Sequence, residues 1–332
     1  MTFTIHRDPR HNCHFVNLAA MLKREDIDIS RVYTQTGLFY KDDSRTTGNS
    51  TFFILSPYFR ELYAHIRSRF GIIWTEKNIA DTPAYVEEIR RILEQGSKSI
   101  GVTGDVFELP YCPYYQKSNS LHEFEVIGYE NDEFEVCDHY YQYHGFIKEA
   151  DLQSIFARSL PSLSLESLRL YAVRTAADYI PLSPGQEWKR IVAENCSAMD
   201  GRLPYEFSQP VSGGTCGLSA FPDLRRKLNE IFTLSPQEAD PVLEHLYQQV
   251  REVGNSRYHF GTYLKRRGEQ EAVRRVFEAE QSWMIAANLL IRASLTFDFA
   301  QLGPRIMARI DQAEQAEAES LAFFKNLLEQ LD

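Results

Sequence analysis

The chain reads as an α+β N-terminal half joined to a mostly α-helical C-terminal half. Three observations point there. Up to about residue 150, helix-like apolar patterns are interleaved with short segments that alternate apolar and polar residues, as strands do. After about residue 183 the texture changes to long helical patterns, several opening at Ser-Pro steps. With 332 residues, the chain is also longer than a single core usually organises.

The elements follow in order. Residues 14–24, His-Phe-Val-Asn-Leu-Ala-Ala-Met-Leu-Lys-Arg, form a helix with its basic end at the C-terminus, where cations suit the helix dipole. Asp42 to Ser50 is a polar loop, and Ser56-Pro57 opens a second helix that runs to about Phe70. Residues 83–95 form a third helix. Ile100 to Leu109 tends to a strand, followed by an aromatic loop, Pro110-Tyr111-Cys112-Pro113-Tyr114-Tyr115. Two strands, 122–129 and 133–138, join near Asn131-Asp132, and residues 168–174 add another. Beyond Ser183-Pro184, residues 217–234, 236–253, 256–267, 269–297 and 304–331 are helical. The expected division is a catalytic domain over 1–160 and a helical domain over 161–332 that serves as substrate lid or docking surface.

Bulk composition narrows the function classes. The formal net charge of −10 argues against nucleic-acid binding. No apolar run approaches the ~20 residues of a membrane span, and the N-terminus lacks the apolar core of a signal peptide, so a cytoplasmic protein is expected. Five widely spaced cysteines without a CxxC pair suit free thiols in a reducing compartment. His139 and His144 bracket an aromatic run with no third or fourth ligand in view, so no metal and no cofactor are expected.

The hairpin concentrates the chemistry. Side chains alternate across a strand, so His122, Phe124 and Val126 share one face, as do Phe134, Val136 and Asp138. Glu123, Glu125, Glu133 and Glu135 mark the opposite face as the wet one. A buried histidine and a buried aspartate are costly unless paired, and the pairing needs an odd loop or a bulge between the strands; the odd loop is expected. A core histidine satisfied locally, beside a strand-end aspartate bonded to backbone, is the plainer alternative.

Cys13 lies where helix 14–24 begins, and a helix N-terminus and a nearby imidazolium both favour the thiolate. The order cysteine, histidine, acid is that of papain-like thiol enzymes, with Cys13 as nucleophile, His122 as base and Asp138 as orienter. The Cys13 N–H is one oxyanion donor, and Asn12 or His6 is a candidate for the second. A rival nucleophile is Cys216, in Ser212-Gly213-Gly214-Thr215-Cys216-Gly217, with His259 as its base; no strand-face acid accompanies it. Cys112 belongs to the aromatic loop, read as lid-like, and Cys137 and Cys196 read as packing residues.

These motifs resemble one family. Cys13 with Asn17-Leu18-Ala19-Ala20-Met21-Leu22, then Asp105-x-x-x-Leu109-Pro110-Tyr111, then His122-x-x-x-Val126-x-Gly128-Tyr129 and Val136-Cys137-Asp138 are similar to the motifs of the butirosin-biosynthesis protein H family. The resemblance covers residues 1–150. It implies a papain-like cysteine acyltransferase that takes an acyl group from an acyl carrier protein's phosphopantetheine thioester and passes it to a small amine-bearing acceptor in natural-product assembly. It implies Cys13, His122 and Asp138 as the catalytic residues and marks Asp105 and Tyr111 as substrate-side candidates. The bulky His14-Phe15-Val16 after the cysteine departs from the smaller or hydroxylic residues expected there.

Two other classes stay open: a thiol peptidase or amide/thioester hydrolase with the same triad, and a non-catalytic assembly-line binding protein. A homodimer is compatible with either. Arg225-Arg226-Lys227, Lys265-Arg266-Arg267 and Arg274-Arg275 are candidate docking patches for an acidic carrier protein.

Overall fold

Asn12 caps the first helix: its side chain accepts from the Phe15 N–H, and Lys23 and Arg24 occupy the last turn of α1, Cys13–Arg24. The structure is a computed structural model that describes residues 5–8, 10–203, 205, 206 and 213–331. Ser212, part of the rival motif, lies outside the described residues. The chain divides into two compact units, 1–29 with 66–181 and 30–65 with 182–332.

The first unit is built on a six-stranded antiparallel sheet in the order β3-β8-β4-β5-β6-β7. The strands are β3 (Ile72–Ile79), β4 (Ile100–Asp105), β5 (Leu121–Glu130), β6 (Glu133–Asp138), β7 (Tyr143–Lys148) and β8 (Leu168–Thr175). One face carries Val102, Phe124, Val126, Phe134 and Val136. It packs on Tyr85 and Ile89 of α4 (Thr82–Glu94) and on Leu152 and Phe156 of α5 (Glu149–Ser162). The other face receives α1, whose Asn17 Nδ2 donates to the Glu123 carbonyl at 2.5 Å. The sheet is therefore covered on both sides, and this corrects the expectation of a wet glutamate face. Glu123 and Glu125 are buried and satisfied by ion pairs instead of by water.

The β5–β6 turn also differs from expectation. Asn131 and Asp132 both have positive φ, 54° and 60°, as in a two-residue hairpin turn, so the loop is even and not odd. The parity change comes from β5, where the register shifts between Val126 and Gly128 and leaves Ile127 as an extra residue.

The second unit contains a three-stranded sheet, β2-β1-β9, from β1 (Phe39–Asp42), β2 (Phe53–Ser56) and β9 (Thr215–Cys216). A short helix, α2 (Ser44–Thr47), connects the first two. Its main body is helical: α6 (Pro184–Met199), α7 (Ala220–Ile231), α8 (Pro236–Arg267), α9 (Gln270–Thr296) and α10 (Phe299–Leu331). Ser183 and Ser235 form capping boxes with Gln186 and Glu238. The patterns 236–253 and 256–267 are one helix. Gly254 sits inside it because a Cβ there would come within 2.7 Å of Met284 Sδ on α9. Ser56 does not cap a helix. It ends β2 opposite Phe39, and the next helix, α3, runs Leu62–Phe70. The units also differ from a single division after residue 160, because β1 pairs with β9 and draws 30–65 to the helical part.

Candidate active site

His122 is the second residue of β5 and Asp138 closes β6. Because Ile127 is bulged, both side chains point to the same face, and His122 Nε2 lies 2.7 Å from Asp138 Oδ2. Both side chains are buried. The second carboxylate oxygen, Oδ1, accepts from the backbone N–H groups of Tyr140 (3.0 Å) and Tyr141 (2.9 Å), which fixes the carboxylate plane. With Nε2 donating to Asp138, the other ring nitrogen, Nδ1, is left for the Cys13 thiol, which hydrogen-bonds to His122. Burial alone would lower the His122 pKa; the hydrogen bonds and charges of Asp138 and Cys13 outweigh it and lift the group to about 9.

Cys13 is the first residue of α1 and is partly exposed. Its N–H belongs to the first turn, where no intrahelical acceptor exists, so helix geometry leaves it available to a ligand. The Asn12 side-chain oxygen is committed to the Phe15 cap at 2.9 Å, which leaves only its amide NH2 for a ligand. His6 does not reach this group through the contacts described. Its N–H donates to His139 Nδ1 at 2.9 Å, and burial, then the neighbouring His139, lower its side-chain pKa.

Tyr111 and Asp105 have different tasks from the substrate-side ones expected. The Tyr111 ring stacks on Tyr143 with centroids 3.9 Å apart, and its buried hydroxyl lies against Asp138, behind the acid. Burial and that carboxylate push its ionisation up. Asp105 ends β4 and caps the turn after it. Its Oδ1 accepts from Phe107 N (3.1 Å) and Ser120 N (2.9 Å), and its Oδ2 accepts from Ser162 Oγ (2.6 Å). Both of its oxygens serve the fold.

The aromatic loop does reach the imidazole, by way of a second tyrosine. Tyr114 meets Tyr141 at 6.3 Å, and the Tyr141 ring lies 4.7 Å from that of His122. Tyr140 adds a second ring at 5.9 Å. Sequence reasoning passed over this Tyr140-Tyr141 pair; its position two and three residues after Asp138 was the available signal. Cys112 is the buried side of the loop and bonds the Tyr141 hydroxyl, so it packs the loop down onto the site.

Cys216 lies in β9 opposite Phe39, and burial raises its pKa, which disfavours the thiolate. The glycines around it let backbones approach. A Cβ on Gly217, which has φ +60°, would fall 2.0 Å from the Met199 carbonyl oxygen of α6. His259, its presumed base, packs its ring with Tyr33 at 5.5 Å.

Glu125, Cys137 and His139 form a buried group close enough to share an ion. Their hydrogen bonds describe another use. The His6 N–H points at His139 Nδ1, so the ring proton is on Nε2 and goes to Glu125 at 2.8 Å. Arg24 supplies the opposite charge to Glu125 through two bonds of 3.0 and 3.1 Å. A cation on Nε2 would require Nδ1–H to face another N–H, and it would sit beside a guanidinium. Burial raises the Cys137 thiol far above its usual range.

The basic clusters on the helices are mostly engaged within the chain. Arg225 pairs with Asp311 and Glu314, Arg226 with Asp223, and Lys227 is buried against Asp42. Arg274 and Arg275 pair with Glu271, and Arg267 lies over the Trp188 ring at 4.6 Å.

No curated protein matches the chain. No helix among the described residues is long and apolar enough to cross a membrane. Residues 34–139 match the family model described as butirosin biosynthesis protein H, N-terminal; the match begins after Cys13 and takes in His122 and Asp138. It bears out the resemblance seen in the motifs: over residues 34–139 the chain is similar to the N-terminal part of butirosin biosynthesis protein H.

Proposed function

We propose that the protein is a cysteine-dependent acyltransferase that moves an acyl group from a carrier-protein thioester to an amine, with Cys13 as nucleophile, His122 as acid and base, and Asp138 as orienter. The observation that carries this reading is the single imidazole held between a buried carboxylate and the thiol at a helix start. The family name, which links its namesake to butirosin biosynthesis, supports a biosynthetic setting.

The Cys13 sulfur attacks the thioester carbonyl carbon, and the tetrahedral oxyanion forms next to the Cys13 N–H. Collapse breaks the carbon–sulfur bond to the carrier, and the imidazolium proton of His122 passes to the departing thiolate. Acylation changes the base. Cys13 helped raise the His122 pKa, and once its sulfur is a thioester that contribution is gone. The imidazole is then neutral and ready to take a proton from the incoming amine. The amine nitrogen bonds to the acyl carbon, the Cys13–acyl bond breaks, and the proton returns to sulfur. Tyr140 and Tyr141 line the His122 side of this site and limit water there. The domains under this reading are a catalytic N-terminal part and a helical part that serves substrate or carrier. The paired state of Arg225, Arg226, Lys227, Arg274 and Arg275 directs the search for a carrier-docking surface away from those two clusters.

Intact-protein mass spectrometry after incubation with a panel of acyl thioesters tests the reading. The expected result is an acyl adduct on wild type, absent in Cys13→Ala and discharged faster by amines than by water. An adduct lost mainly to water would make the protein a hydrolase. An adduct that survives Cys13→Ala would remove the triad.

A further inference from the structure

The two residues proposed to react are each followed by a residue that grips the other's element. Cys13 precedes His14 on α1, and His122 precedes Glu123 on β5. His14 Nδ1 lies 2.7 Å from Glu123 Oε2. Three residues further along α1, Asn17 Nδ2 donates to the Glu123 carbonyl oxygen at 2.5 Å. One residue of β5 therefore holds α1 at two points, through its side chain and through its backbone.

Glu123 is itself immobilised. Its carboxylate also accepts from Tyr171 Oη at 3.1 Å and pairs with Arg169. Tyr171 is clamped by a stacked Trp74, with centroids 4.4 Å apart, and presents its ring to the His14 edge at 5.6 Å. The carboxylate is buried, and burial would raise its pKa, but the bonds from His14 and Arg169 hold it below the usual range and keep it charged.

We infer that His14 and Glu123 are a positioning pair for the acyl-transfer site, setting the separation and angle between the Cys13 thiol and the His122 imidazole. The inference rests on the proposed function. Successive strand residues face opposite sides, so Glu123 points away from the His122 face, and its hold on the reacting groups runs through α1. The strand start and the helix start are joined by separate elements of the chain, and neither local structure alone fixes their spacing. A charge-assisted bond one residue from each reacting group does so with the shortest lever available. The pair also gives the bulky His14 after the nucleophile a task that a small residue could not perform.

The test follows Cys13 alkylation by iodoacetamide at pH 7, site by site, together with the His122 imidazole titration by NMR, in the full chain. His14→Ala and Glu123→Ala are each expected to slow Cys13 alkylation about tenfold or more and to lower the His122 titration by about one pH unit as its Cys13 contact loosens. The double variant should lose no more than the worse single one, because both remove one bond. His14→Asn, whose amide NH2 can stand where Nδ1–H stands, should stay within about threefold of wild type. If the alanine variants fail to fold, His14→Gln and Glu123→Gln give the same comparison. Folded variants with wild-type alkylation and an unmoved His122 titration would overturn the positioning role and leave the triad intact. Wild-type Cys13 reacting no faster than Cys216 would overturn the triad, and the positioning pair with it.

Discussion

His122 and Asp138 meet because Ile127 is one residue too many in β5. Regular pairing from the Asn131-Asp132 turn would have placed the two side chains on opposite faces. The bulge between Val126 and Gly128 shifts the outer part of β5 by one and brings Nε2 to 2.7 Å from Oδ2. The contact should be worth more to the reaction than to the fold. Asp138→Asn keeps the acceptor for the Tyr140 and Tyr141 N–H groups but removes the charge opposite His122. Its expected effect is a loss of roughly 10²–10⁴ in the rate of acyl-enzyme formation, with His122 titrating lower. Single-turnover acylation monitored by mass, beside the NMR titration, checks both; an unchanged rate would leave Asp138 with a purely structural task.

The raised His122 pKa also ties stability to pH. A group lifted from about 6.5 to about 9 on folding binds its proton more tightly in the native state. Its contribution is complete below pH 6.5 and disappears as pH rises through 9. Relative to His122→Gln, wild type should therefore lose up to about 3 kcal/mol of stability between pH 6 and pH 9.5. Urea unfolding of both proteins at the two pH values isolates the term of His122 with its partners Asp138 and Cys13, since groups away from this cluster titrate in common. A difference between the proteins that does not change with pH would mean that folding leaves the His122 titration unshifted, and a difference that grows with pH would mean that His122 is neutral when folded.

Much of this arrangement was readable in the residues themselves. Asn12 before an apolar-periodic run marks the start of α1, and the capping boxes at Ser183 and Ser235 mark two later helices. The shared face of His122 and Asp138 follows from the cost of burying either one alone. What could not be read depended on partners distant in sequence. Glu123 and Glu125 look like solvent-facing residues until α1 covers them with His14 and Arg24. The membership of 30–65 in the second unit rests on Phe39 pairing with Cys216, across 177 positions of chain. Ile127 looks like any apolar strand residue, because a bulge has no composition of its own. β3, with Glu76 and Lys77 exposed, lacked the apolar alternation that would have announced it, as befits an edge strand.

Asp105 separates a residue that matters to the fold from one that matters to the chemistry. Its carboxylate holds the Phe107 and Ser120 N–H groups and the Ser162 hydroxyl, all within 3.1 Å. Asp105→Ala would take the acceptor from two part-buried backbone donors and from the Ser162 hydroxyl, at a cost of about 1–3 kcal/mol. Acyl-enzyme formation per folded molecule should be unchanged. Thermal unfolding combined with active-site titration of Cys13 checks this. A selective loss of acylation at full stability would return Asp105 to the substrate side.

The second unit carries a buried ion pair whose removal should be costly in one direction only. Arg257 Nε lies 2.7 Å from Glu317 Oε1, and the same oxygen accepts from Trp283 Nε1 at 2.8 Å. Arg257 Nη1 further donates to the Gly37 carbonyl at 2.9 Å, which ties the 30–65 segment to α8. Both charged side chains are almost wholly buried. Glu317→Ala strands the guanidinium among apolar helices and should cost about 3–5 kcal/mol. Arg257→Met combined with Glu317→Leu removes both charges and fills the space, so it should recover most of that loss. The recovery will be incomplete, because the Gly37 carbonyl and the Trp283 N–H each lose a partner. Chemical denaturation of the single and double variants measures the difference. A double variant less stable than Glu317→Ala would show that the Gly37 contact, not the ion pair, is what the arginine supplies.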